Sequence, residues 1–408
     1  MNSPAAPAKR ITVSVLLATY NRAHYLPEAL ESILQQTRPP EEIIVIDDGS
    51  SDHTPEVMRR YLSGIRYFRT ENRGKAAALN FAIPLAQGSH IWIFDDDDVA
   101  LPDALQAHVD FLDTHPGVDF SYSTNYRYSG DGDIWQRDKW VSKAIPDWPP
   151  EVFAVQVMWG LHTLFQGMVI PKRCFVETGL FDEALLRVQD TEMLIKLAHR
   201  FRAQNIKKPT FVLRDHGGAR GPNTHGDTES RRNAIQLRYQ QQVFRKVRAA
   251  YPLPCYLPHE PGQTLPVLNE AERGQALIQR GCVMLRQGLT DLALSDLREG
   301  LGLLNAIEQQ SREIAAILSK AVNIEPWILP RRYYLISALA KVFRKNHCEA
   351  LAIAVTRGVY WTLLRSLRRH QWRNAVQAFS MLLFTAFYSA QSLLTHLLRS
   401  CSISARMS

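Results

Sequence analysis

The amino-acid sequence predicts an α/β domain with a doubly wound, mostly parallel sheet, followed by a helical C-terminal region. Three observations carry that prediction. Short apolar, β-branched runs alternate with segments of helical period through the first 120 residues. Several of those runs stop abruptly at polar or acidic residues, and Ile91-Trp92-Ile93-Phe94 is followed at once by Asp95-Asp96-Asp97-Asp98. A Pro-dense stretch, 251–262, then separates this rhythm from a chain that is helical in character.

The elements follow in order. Strands are expected at Ile11–Ala18, Ile43–Ile46, Ile65–Phe68, Ile91–Phe94 and Val118–Tyr122, with helices at 24–36, 54–62, 74–87 and 102–113 between them. Strands separated by single helices demand right-handed crossovers, hence a parallel sheet covered on both faces. Residues 123–150, rich in Tyr, Trp, Asp and Pro, lack periodicity and read as an irregular segment that could line a site. A strand near 165–170, a helix near 190–202 and a strand near 209–213 complete the sheet. The expected domains are 1–250, a Pro-rich linker 251–262, a helical hairpin 263–330 resembling one tetratricopeptide unit, and a basic amphipathic helical region 331–408.

Charge is divided unevenly along the 408 residues. Residues 331–408 hold twelve Arg or Lys against one acid, Glu349, a net of +11, which leaves 36 bases and 39 acids, or −3, to residues 1–330. Such asymmetry points to an appended module facing an anionic surface. Within it, Tyr360, Trp361, Arg365, Arg368, Arg369, Trp372 and Arg373 precede the uncharged run 374–398, a pattern that suits a membrane interface. A buried bundle mediating homodimerisation is the competing reading, and nucleic acid ranks third because no nucleic-acid-binding module accompanies the charge. Five cysteines without paired or metal-ligand spacing argue against a disulfide scaffold. No apolar h-region follows MNSPAAPAKR, so the expectation is a cytoplasmic protein, peripheral at the inner face of the membrane.

The acid cluster is the strongest chemical signal. Four adjacent like charges stay together in a folded chain only where solvent, a cation or a charge-dispersing ligand offsets their repulsion. A hard divalent ion bridging to phosphates meets that need, and ligands of open α/β sheets bind beyond the carboxyl ends of the strands. Two further runs end at the same edge: Val13–Ala18, leading into Thr19-Tyr20-Asn21-Arg22, and Ile43–Ile46, leading into Asp47-Asp48-Gly49-Ser50.

Together, VSVLLATYNRAHYLPEALESILQQT, IIVIDDGSSDHT, ENRGKAAALNFAIPLAQGSHIWIFDDDDVALPDAL and QDTEMLIKL make residues 10–220 resemble the inverting glycosyltransferases of family 2, which carry the GT-A fold. The resemblance implies a nucleotide-diphospho-sugar donor, a UDP-sugar by preference, and a glycan or lipid-linked acceptor in polysaccharide or glycoconjugate synthesis. It sets Ala18 and Tyr20 against the nucleotide base, with Asp48 accepting from the base's imide N–H, and it brings Arg73 to the nucleotide. Aligned with the family's DXD element, Asp95 supports the site, Asp96 lies near the ribose and Asp97 ligates Mg²⁺ or Mn²⁺. His216 is the candidate to complete the metal shell, with His225 competing, and Arg220 is a candidate for the diphosphate. Gln189 stands where the family's first acid is usual, so Asp190 inherits the role of general base. The alternatives are a nucleotidyltransferase, which would want a glycine-rich basic signature where Ala18-Thr19-Tyr20-Asn21 stands, and a helical interaction protein whose α/β part only binds nucleotide.

Overall fold

The computed structural model describes residues 10–130, 132–160, 163–215, 229–304 and 312–322, with Tyr360, Leu364, Leu367 and Phe379 in helical conformation. Contacts divide the chain into two compact units, Met1–Asp227 with Glu260–Gln263, and Thr228–His259 with Thr264–Ser408. The division falls ahead of the Pro-rich stretch. The Arg-rich helix 229–250, expected to close the first domain, therefore belongs with the second unit.

The first unit runs β1 (Val13–Thr19), α1 (Leu26–Leu34), β2 (Glu42–Asp47), α2 (Thr54–Met58), β3 (Arg66–Arg69), α3 (Lys75–Leu85), β4 (His90–Asp95), β5 (Val99–Ala100), α4 (Ala104–Thr114), β6 (Phe120–Ser129), β7 (Trp140–Lys143), α5 (Pro150–Trp159), β8 (Met168–Pro171), α6 (Lys172–Thr178), α7 (Gln189–Arg200) and β9 (Ala203–Asp215). The sheet order is β3-β2-β1-β4-β8-β6-β9-β5, with β7 paired to β6. Its first four strands are parallel, the doubly wound half that the alternating pattern predicts. Beyond β4 the sheet is mixed: β8 is antiparallel to β4 and β6, whereas β6 and β9 are parallel.

Apolar runs rather than strict alternation mark β1, β2 and β4 because both faces are covered. Val13, Val15, Leu17, Val45, Trp92 and Phe94 pack with Leu26, Leu30 and Ile33 of α1 and with Leu105 and Val109 of α4. Leu16, Ile44 and Ile93, of opposite parity, are equally buried, and α3 packs on β1 and β2. Register then sets the site: Thr19 lies opposite Asp47, and Ala18 opposite Asp95, so three strands end at one level.

The expected irregular segment 123–150 is more ordered than its composition suggests. Strand β6 runs on to Ser129, with bulges at Thr124, and β7 returns along it. Alternation is hidden there because the pleat breaks at the bulges and because Tyr122, Ser123, Asn125 and Tyr128 are all buried, on both faces of the strand.

The second unit is helical: α8 (Glu229–Ala250), α9 (Glu270–Arg286), α10 (Thr290–Leu303) and α11 (Arg312–Val322). A reciprocal capping box starts α9, in which Asn269 accepts from the Glu272 N–H and Glu272 accepts from the Asn269 N–H, each at 2.9 Å. Leu277, Cys282 and Leu285 of α9 and Ala293, Leu297 and Leu301 of α10 form the buried seam. The buried Asp296 carboxylate receives both Arg248 and Arg280, which ties α8, α9 and α10 together. The basic, Trp-bearing module expected within 331–408 lies outside the described residues, apart from isolated positions. Among the described residues no helix is long and apolar enough to cross a membrane.

Candidate active site

The turns after β1 and β2 are stitched to each other before they can offer anything to a ligand. Asn21 has a φ of +54° and its Oδ1 accepts from the Ser51 N–H at 2.7 Å, while Ser50 Oγ accepts from the Asn21 N–H at 2.9 Å. Gly49, at φ +79°, could carry no Cβ, because that atom would come within 2.9 Å of the Asn72 nitrogen. Asp47 is wholly buried, and its carboxylate accepts from the Ser50 N–H and from the Tyr67 hydroxyl, each at 2.7 Å. Asp48 accepts from the backbone N–H groups of Arg73 and Gly74, at 2.9 and 2.8 Å. Burial nevertheless pushes its carboxyl above the usual range.

Gly74, at φ +91°, begins α3 and hands over directly to Lys75. The Lys75 ammonium stands 2.6 Å from Asp95 Oδ1 and 3.7 Å from Asp190 Oδ2. Burial works against its charge, yet the carboxylates of Asp190 and Asp95 outweigh that and hold the ammonium protonated well above the usual lysine range. Two consecutive residues thus connect Asp48 to the acid cluster and to the start of α7.

Within the cluster each acid has a different neighbour. Asp97 pairs with Arg22 at 3.2 Å. Gln166 Nε2 donates to both Asp95 Oδ2 and Asp98 Oδ2 at 2.7 Å, and the Gln166 carbonyl in turn accepts from the Trp92 indole at 2.7 Å, which anchors this bridge in the core. Asp98 Oδ1 also accepts from the Arg214 N–H at 2.8 Å. Burial, aided by the charges of Asp97 and Asp95, pushes Asp98 well above the carboxylate range. Asp96 is pushed up to about 7 by burial first and by Asp97 second, and Asp95 is raised by burial against the pull of Lys75.

Helix α7 begins under strain. Val188, its N-cap, has a φ of +66°, a conformation that costs a β-branched residue of order 1–3 kcal/mol and persists only where the surroundings enforce it. No side chain among the described residues caps the helix, so Asp190, one residue inside its first turn, is not the N-cap. Its Oδ1 is buried and finds no hydrogen-bond partner among the described residues. The helix N-terminus favours negative charge at that position.

Of the residues singled out from sequence, the structure brings Ala18, Tyr20, Asp48, Asp95, Asp96 and Asp97 to one sheet edge, with Asp190 joined to them through Lys75. Arg73 contributes its backbone N–H to Asp48, while its guanidinium pairs with Glu183 at 2.7 Å on the exposed side. His216, His225 and Arg220 lie outside the described residues. Three residues escaped sequence reasoning. Lys75 was passed over for its neighbour Arg73, although a lysine at the first position of a helix facing acids is a readable signal. Gln166 carries no local signature at all. Arg214 falls just beyond the strand expected near 209–213, but it is the penultimate residue of a longer one: its side chain is nearly inaccessible, donates to the Asp97 and Gly132 carbonyls and meets Glu28.

A divalent cation would suit the residues present. Asp95, Asp97 and Asp98 each offer a carboxylate oxygen, all within 4.8 Å of one another, and oxygen is the ligand that Mg²⁺ and Mn²⁺ prefer. All three already have partners, Asp95 in Lys75 and Gln166, Asp97 in Arg22, and Asp98 in Gln166 and the Arg214 N–H; Asp98 is the most buried of them, which leaves Asp95 and Asp97 as the more accessible donors.

The domain is a mixed sheet in which β1, β2 and β4 end at one edge, β2 and β4 in acids. Residues 14–170 match the glycosyl transferase family 2 model. An uncharacterized glycosyltransferase of Rickettsia conorii is 33% identical over 207 residues, which is 49% of this chain and 33% of that protein. Chondroitin synthase of Escherichia coli is 25% identical over 217 residues, 52% of this chain and 30% of that protein. The chain spans between 29% and 60% of the length of its Rickettsia relatives. S. aureus TarS 1-349, solved in complex with UDP-GlcNAc, aligns with a TM-score of 0.52 at 17% identity over 84% of this chain and 90% of that one, a likeness of fold.

Proposed function

We propose that this protein transfers a sugar, with inversion, from a nucleotide-diphospho-sugar to a hydroxyl of a glycan or lipid-linked acceptor in polysaccharide or glycoconjugate synthesis. The observation that carries the reading is the junction at Lys75, where the metal-type carboxylate Asp95 and the helix-terminal carboxylate Asp190 meet one ammonium at the edge that also holds Asp48. Each Asp48 oxygen accepts one backbone N–H and retains a further lone pair, so an imide N–H of a uracil can still be received there; UDP is the donor nucleotide this favours. Ala18 and Tyr20 flank the base at the end of β1.

Asp95 and Asp97 would hold Mg²⁺ or Mn²⁺, with Asp96 near the ribose. Bound there, the cation would offset charge on the departing diphosphate. Asp190 Oδ1, buried and unpartnered among the described residues, accepts the proton of the acceptor hydroxyl as its oxygen bonds to the anomeric carbon. The bond from that carbon to the diphosphate breaks on the opposite face, which inverts the configuration with a single base. Lys75 orients Asp95 and Asp190 relative to each other. The net charge of +11 over residues 331–408 supports attachment to an anionic membrane surface, for which flotation with anionic and neutral vesicles is the measure, equal flotation removing that role.

Calorimetry with a UDP-sugar and Mn²⁺ tests the assignment. Asp97→Ala should abolish metal-dependent binding and turnover, because it removes a ligand and leaves the diphosphate charge uncompensated. Wild-type binding and turnover in that variant would overturn the reading of the cluster.

A further inference from the structure

The hairpin of β6 and β7 presents a tryptophan for which the core has no use. Between the strands, the turn Gly132–Lys139 buries Ile134 and leaves Asp133, Trp135, Arg137, Asp138 and Lys139 exposed. Trp135 is 37% accessible. The turn is nonetheless tightly built. Asp133 Oδ1 accepts from the Trp135 N–H at 2.9 Å, and the Ile134 carbonyl accepts from the Trp140 indole at 2.7 Å. The Trp140 ring lies 6.3 Å from Trp135 and 5.2 Å from Tyr126, and the Arg137 guanidinium sits over it at 5.5 Å. An ordered, water-facing indole backed by other rings and edged by both charge signs is a pre-formed binding surface: it loses little entropy on contact and meets a partner that is apolar on one side and polar at its rim.

The same turn is fastened to the acid cluster. Arg214, nearly inaccessible, donates to the Gly132 carbonyl at 3.2 Å and to the Asp97 carbonyl at 3.1 Å, and its guanidinium also stacks over Tyr128, the penultimate residue of β6. One side chain thus touches the backbone of the reacting edge and the backbone of the aromatic turn. We propose that Trp135, backed by Trp140 and Tyr126 and rimmed by Asp133, Arg137, Asp138 and Lys139, is the acceptor subsite, and that it takes a pyranose ring of a saccharide acceptor. A pyranose presents a patch of axial C–H bonds to the indole face and equatorial hydroxyls to the charged rim, which matches the arrangement in shape and polarity. The inference rests on the glycosyl-transfer reading and narrows its acceptor to a saccharide held at a named surface.

Saturation-transfer NMR on the full chain, with short chito-, cello- and malto-oligosaccharides as probes, tests the subsite apart from the donor edge. The expected result is transfer to the ring C–H protons of at least one series, weakened about tenfold in affinity by Trp135→Ala and largely retained by Trp135→Phe. UDP binding measured on the same samples reports on the donor edge separately. Saccharide binding without nucleotide binding would sink the transfer reading and leave the subsite standing. Nucleotide binding with no transfer to any of the three series, or equal transfer to Trp135→Ala and wild type, would overturn the subsite.

Discussion

Strands β2 and β4 flank β1 on its two sides and both end in acids, yet their carboxylates meet opposite surroundings. On the β2 side, donors converge on the charged form. Glu42, at the opposite, N-terminal end of β2, is held below the carboxylate range because the Ser14 hydroxyl, the Gln87 N–H and Arg66 outweigh its burial, and Asp52, beyond the turn that follows β2, likewise through Thr54 and the Ala23 N–H. The Asp47 carboxylate is taken up by Ser50 and Tyr67. On the β4 side, burial and mutual repulsion dominate, and Asp95, Asp96 and Asp98 are all pushed toward protonation although Lys75 and Arg22 offset part of the charge. The difference teaches that an acid at a strand end is a scaffold when its oxygens are filled from the backbone, and a reagent or ligand when charge around it is left uncompensated. Asp48 lies between the two, hydrogen-bonded like a scaffold yet raised by burial like a site residue.

Asp190 offers the largest way to break that comparison, since it is the carboxylate of this edge with a buried oxygen lacking a partner among the described residues. Asp190→Asn keeps the shape and cannot take a proton. Turnover should fall by about two orders of magnitude or more while donor affinity changes little, read by steady-state kinetics beside calorimetry. Wild-type turnover in this variant would mean that an unfilled oxygen marks nothing here.

The scaffold side should respond in the other way. Asp47→Ala leaves the buried Ser50 N–H and the half-buried Tyr67 hydroxyl without their acceptor, for a loss of about 2 kcal/mol in denaturant unfolding, the same with or without Mn²⁺. A loss of donor binding with unaltered stability would move Asp47 from scaffold to site.

How much of this was legible in the sequence follows from the range of the interactions involved. Strands β1, β2 and β4 and their acids were readable because each is a continuous run with its functional residues at its own end. Asp190 was placed by its pattern at a helix start. Gln166 was invisible because it acquires its role only when a short turn brings it against Asp95, 71 residues away in sequence. Arg214, 117 residues from Asp97, was hidden for the same reason. The mixed half of the sheet was missed where β6 bulges and is buried on both faces, since alternation is the only local sign of such a strand. The strain at Val188 has no sequence signal: valine is a poor choice for a left-handed position, and only the fold imposes it.

The smallest effect, and the one that separates the two strand ends most directly, is the pH dependence of stability without added metal. Asp96 has an ordinary value of 3.8 when unfolded and is pushed up to about 7 when folded, so between those limits the native state holds a proton that the unfolded chain has released. Stability from this group therefore falls as pH rises through that window, by an amount of order 1 kcal/mol once coupling to Asp97 and the pull of Arg22 are allowed for. Glu42 and Asp52 act with the opposite sign, because their folded values are lowered and their contribution is lost as pH falls. Thermal melts from pH 4 to pH 7 in chelator should show a decline that Asp96→Asn flattens, and Mn²⁺ should remove the same decline in the wild type by replacing the proton with a cation. A slope unchanged by both the variant and the metal would place the crowding of the β4 acids outside the energetics of folding and leave the two strand ends electrostatically alike.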